Sequence, residues 1–103
     1  MSDPMRIRAQ SQGTGALVRV LMSHEMETGL RKDADGKEVP AWHITQVTVA
    51  LNGKTVMTAH WGTAIAKNPF TQFTVKNAKV GDKITVSWVD NHGDKRTDEA
   101  TVS

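Results

Sequence analysis

Four histidines, five methionines and eleven acidic residues are the groups through which this chain can do chemistry. His24, His43, His60 and His92 never fall at a metal-binding interval such as His-x3-His, and no Ser-His-Asp arrangement follows from their order. Imidazole and thioether are good copper ligands, so a cluster of His24 and Met26 with Met22, Met57 and His60 is one candidate site. A solvated loop histidine is the plainer reading of His24. Asp33-Ala34-Asp35-Gly36 begins like a calcium loop, but the series of ligands up to a terminal Glu and the flanking helices are missing. It reads as a turn. Cysteine is absent, which removes disulfides, thiol nucleophiles and thiolate metal sites together. No catalytic residue, metal site or cofactor is expected.

Eight of these twenty groups lie in one segment. Ser23 to Ile44 is long and polar, yet it lies between two strand patterns, where compact domains commonly use about two to six residues. On either side the chain reads as all-β. Alternation and turn signals predict strands over Met5–Ala9, Leu17–Met22, Thr45–Leu51, Lys54–His60, Phe70–Val75, Ile84–Val89 and Arg96–Val102. No stretch holds a helical period. About seven short strands with frequent turns predict an immunoglobulin-like antiparallel β-sandwich. At 103 residues it is one domain, spanning 1–103 with residues 1–4 expected to be flexible.

Asn52-Gly53 predicts a two-residue hairpin, because both central residues of a type I′ turn need positive φ. With no irregularity, Thr48 then faces Met57, Gln46 faces Ala59 and Ile44 faces Trp61. One face carries Val47, Val49 and Val56, and the other Ile44, Ala50, Met57, Ala59 and Trp61. A sheet with one wet face is normally apolar on the other only. Either the Ser23–Trp42 segment covers the second face, or a partner protein does, with Trp and Met as anchors.

Charge narrows the classes further. Thirteen basic and eleven acidic residues give a net charge of +2, spread along the chain, with no basic run longer than two residues. The footprint of a nucleic-acid binder is missing. No apolar run approaches the ~20 residues of a membrane span, and Met1 to Arg8 lacks the apolar region of a secretory signal. Neither nucleic acid nor membrane is expected as a partner, and composition alone would suggest the cytoplasm.

The words of the chain resemble a known family. His24-Glu25-Met26-Glu27-Thr28-Gly29, Arg31-Lys32-Asp33, Gly36, Pro40-Ala41, Ile44, Leu51-Asn52-Gly53-Lys54 and Trp61-Gly62 closely resemble SoxZ, a subunit of the bacterial sulfur-oxidation system. The likeness continues through Lys67-Asn68-Pro69-Phe70, Gly81-Asp82-Lys83, Trp88-Val89-Asp90-Asn91 and Gly93 to Glu99. It departs at Glu25 and His43, where family members often carry Pro and Phe.

The resemblance implies a non-enzymatic role. SoxZ-like chains pair with a SoxY-like chain, as a heterodimer or a higher oligomer built from it. The cysteine of that partner, near its C-terminus and flanked by glycines, carries thiosulfate-derived sulfur between the enzymes of the pathway, which dock transiently. The resemblance also implies a periplasmic location, reached by export with the partner. Ile44, Met57, Ala59 and Trp61 of the hairpin, with His24, Met26, Arg31 and Trp42 of the long segment, are the partner-binding candidates. Arg31, Lys32 and Lys37 could offer charge to a sulfonate on the partner's arm, or simply be solvated. A copper-binding β-sandwich and a generic immunoglobulin-like interaction domain are the alternatives.

Overall fold

A computed structural model describes residues 4–62, 65 and 67–103. Apart from Pro4, the terminus expected to be flexible lies outside these residues. Seven strands form: β1 (Arg6–Gln12), β2 (Gly15–Leu21), β3 (Ile44–Leu51), β4 (Lys54–His60), β5 (Phe70–Lys76), β6 (Lys83–Asp90) and β7 (Lys95–Thr101). They pair antiparallel in two sheets, of order β1-β2-β5 and β4-β3-β6-β7. No helix occurs among the described residues. The expected all-β sandwich is the fold, with ends within a few residues of those predicted.

Alternation decides which side of each strand is buried. From the first sheet Val18, Val20 and Val75 point inward, and from the second Val47, Val49, Ile84, Val86 and Trp88. Met22, Ile44 and Val102 close the same core. Asn52 and Gly53 have φ of 51° and 87°, so the β3–β4 turn is of the primed type the sequence predicts.

The register of that hairpin differs from the one predicted. Leu51 pairs with Lys54 and Ala50 with Thr55, but Val49 then pairs with Met57 and Val47 with Ala59. The shift between Val49 and Ala50 leaves Val56 as the extra residue of a β-bulge. Trp61 donates its N–H to Thr45 O at 2.9 Å and so does not face Ile44. A second shift, between Ile44 and Gln46 on the β6 side, turns Ile44 inward beside Val47.

One bulged residue flips every later side chain to the other face. Met57, Ala59 and Trp61 consequently pack, half-buried, on the core, while Thr58 and His60 face solvent. The two bulges account for the apolar residues that the unbulged register places on both faces of the hairpin.

The molecule measures 52 × 21 × 20 Å, with a radius of gyration of 15.3 Å. A compact chain of this length would have about 13 Å. The long segment between β2 and β3 folds back on itself as an arm, held by bridges between Glu27 and Trp42 and between Lys32 and Glu38.

Candidate partner-binding site

The arm is anchored at its root and closed at its tip by short polar side chains. Asn68 accepts from His24 N with its side-chain oxygen at 3.0 Å and donates its own N–H to His24 O at 2.9 Å. At the tip Asp33 Oδ1 accepts from the N–H groups of Asp35 and Lys37, and Gly36 N donates to Asp33 O. This is an Asx-type turn, so the Asp-Ala-Asp-Gly word closes a loop, as the sequence suggests. Arg31 grips Glu27 through Nε and an Nη, which raises the guanidinium and lowers the carboxyl of Glu27.

Beneath the arm sits a polar cluster inside the core. His24 is 6% exposed, and its Nε2 lies 3.0 Å from Asp90 Oδ2. Its Nδ1 accepts from Met26 N at 3.0 Å, which assigns the ring proton to Nε2, the side that donates to Asp90. Trp42 Nε1 donates to the same Asp90 oxygen at 2.8 Å. Asp90 Oδ1 accepts from the N–H groups of His92 and Asp94, each at 2.9 Å. All four donors are aimed at one buried carboxylate.

Burial raises the Asp90 carboxyl, but the bonds from His24, Trp42, Asp94 and His92 together outweigh it, and the group stays below its ordinary range. A buried charge is tolerable when its lone pairs are satisfied in this way.

Aromatic packing fixes the cluster from the sides. The His24 ring meets Trp42 and Trp88 edge-on, with centroids 5.2 and 5.1 Å away. Trp42 in turn stacks on His92 at 5.1 Å and 9°. Asn91 bridges the arm to the β6–β7 turn, donating to Ala41 O and accepting from His43 N. Met26 adopts φ of 50°, and its sulfur accepts from Ile44 N at 3.4 Å.

The structure divides the sequence candidates into three groups. His24, Met26 and Ile44 are core residues, at 6%, 5% and 0% exposure. Their polar and apolar atoms are used to seat the arm. Met57, Ala59 and Trp61 are half-buried against the β4 side of the core, away from the outer face assumed for them. Trp42 is the half-buried lid of the His24–Asp90 pair. Arg31 alone is exposed, on the arm beside Leu30, which is 85% exposed.

The copper arrangement does not assemble. Both His24 ring nitrogens and the Met26 sulfur already have partners, and His60 lies on the outer face of β4. Among the described residues no group of three or more His, Cys, Asp or Glu could hold a metal.

Sequence reading missed Asp90, Asn91, His92 and Asn68. The Asp90-Asn91-His92-Gly93-Asp94 word signals a turn closed by its first carboxylate. Nothing local signals that this carboxylate also meets a histidine 66 residues away.

The chain is a cysteine-free β-sandwich, and among the described residues its buried polar cluster around Asp90 holds the chain's own arm in place. The model of the family described as sulphur oxidation protein SoxZ matches residues 5–101. The chain belongs to that family and takes part in sulfur oxidation. No curated protein matches it.

Proposed function

We propose that the chain is the non-catalytic half of a SoxYZ-type carrier, paired with a SoxY-like chain whose cysteine holds thiosulfate-derived sulfur during oxidation in the periplasm. The observation that carries the reading is the family match over residues 5–101. Composition agrees with it. A subunit beside a sulfur-loaded cysteine is best made without cysteine, since a further thiolate would attack the S–S bond of the loaded group and displace the carrier's sulfur from it. Nor does the polar cluster of this chain have a free nucleophile, because Asp90 and His24 are saturated by each other and by the backbone.

In this reading the chain supplies a rigid platform, export proceeds with the partner, and the oxidising enzymes meet the assembled pair. Co-expression with the SoxY-like chain of the same source, followed by size-exclusion chromatography, is the test. A stable complex of the two supports the proposal. Two chains that elute separately at micromolar concentration overturn it.

A further inference from the structure

The outer face of the three-stranded sheet breaks a rule of cross-strand pairing. Register places Arg6, Leu21 and Phe70 in one row across β1, β2 and β5, and Arg8, Arg19 and Gln72 in the next. Like charges directly opposite each other on one face destabilise a sheet, and Arg8 faces Arg19. Two further rows run Gln10, Leu17, Thr74 and Gln12, Gly15, Lys76. No carboxylate stands in any of them.

Among the described residues none of the three arginines lies within ion-pair distance of an acid. The chain as a whole is nearly balanced, with 13 basic and 11 acidic residues, so its charge has been sorted by surface. Glu99, from β7, is the one acidic wall of the groove of about 540 Å³ that opens here.

The same face carries exposed apolar area. Phe70 is 61% exposed and Leu21, its direct neighbour in the row, 41%. An aromatic ring beside arginines, at the lip of a groove, is the composition of an interface centre. Inside the domain the row gains a single exposed side-chain bond, from Arg19 Nε to Gln72 Oε1 at 3.2 Å. A local rule broken for so little points to a gain outside the domain.

We infer that the Arg6–Arg8–Arg19 face, with Leu21 and Phe70 at its edge, is where the cysteine-bearing partner subunit docks, and that the partner presents carboxylates around an apolar side chain. The inference rests on the carrier reading above. Charge complementarity selects an acidic surface, and the apolar pair gives that surface something to bury.

Arg8→Glu is the discriminating variant. It turns the Arg8–Arg19 row into an attractive pair, so the isolated chain should melt at the same temperature as the wild type or higher. The complex should nevertheless weaken by about tenfold, and by about a hundredfold in Arg8→Glu/Arg19→Glu, as expected for reversed charges at an interface. Phe70→Ala should weaken it by about tenfold without unfolding the chain. Raising salt from about 50 to about 500 mM should loosen the wild-type complex and leave the double variant almost indifferent.

Lys37→Glu on the arm is the control and should bind as the wild type does. Wild-type binding that these three variants leave unchanged overturns the assignment and leaves the carrier reading standing. So does a loss confined to Lys37→Glu, which would move the interface to the arm. Failure of the wild-type chains to associate at all overturns both.

Discussion

Replacing Asp90 by Asn preserves the shape of the side chain and inverts half of its hydrogen bonding. The carboxylate accepts four bonds, from His24 Nε2, Trp42 Nε1 and the N–H groups of His92 and Asp94. An amide has one oxygen. Whichever way it turns, its NH2 faces two of those donors. His24 cannot relieve the conflict by moving its proton to Nδ1, because that nitrogen accepts from Met26 N–H. Bonds to a charged acceptor are worth about 1.5–3 kcal/mol each, so losing two should cost about 3–6 kcal/mol.

Total stability for a domain of this kind is about 5–15 kcal/mol, so the loss is large but survivable. Urea unfolding followed by tryptophan fluorescence reads it directly. With a slope of about 2 kcal/mol/M, the midpoint should fall by about 2 M. A midpoint within about 0.3 M of the wild type would refute the reasoning, since it would mean the four bonds are not carrying the arm.

The pH dependence has a definite sign. The Asp90 carboxyl lies below its ordinary value of 3.8 in the folded chain. Its contribution is complete above that range and is lost as pH falls through 3.8 toward the folded value. Asp90→Asn should flatten this acid limb, and a wild-type limb identical to that of the variant would contradict it.

Other expected outcomes follow from the core. Met26→Ala should lower stability by about 2–4 kcal/mol in chemical denaturation, because a side chain 5% exposed leaves a cavity. Met26→Gly should be no worse, since glycine adopts the φ of 50° without the left-handed penalty of about 1–2 kcal/mol. Gly15→Ala would put a Cβ 2.5 Å from Val75 O, so thermal melting should show a loss above about 2 kcal/mol as β2 and β5 are forced apart. Met57→Asp should destabilise the isolated chain by about 2 kcal/mol, because the bulge places Met57 against the core. A Met57→Asp chain as stable as the wild type would restore the unbulged register.

Much of the fold was legible from residues close together in the chain. Ile84, Val86 and Trp88 alternate cleanly and are all buried, and Asn52-Gly53 makes the turn its composition demands. The two bulges were not legible. Skipping Val56 or Thr45 changes no composition, yet it reverses the face of Met57, Ala59 and Ile44. The prediction of a partner-covered outer face rested on the unbulged count.

The site was legible as a segment and not as a geometry. Ser23 to Ile44 stands out by length and polarity, but whether His24 faces water or the core depends on Asp90, far along the chain. The arginine face escaped notice for a similar reason. Arg6 and Arg8, two positions apart, share a face by alternation, while Arg19 joins them only through strand pairing.

The most direct test is intact-mass spectrometry of the co-purified pair after exposure to thiosulfate and its oxidising partners. If the chain is the cysteine-free half of a sulfur carrier, the added sulfur mass appears on the SoxY-like subunit only, and this chain keeps its unmodified mass. A complex in which the partner's cysteine stays unloaded, or in which the adduct sits on this chain, would contradict that role.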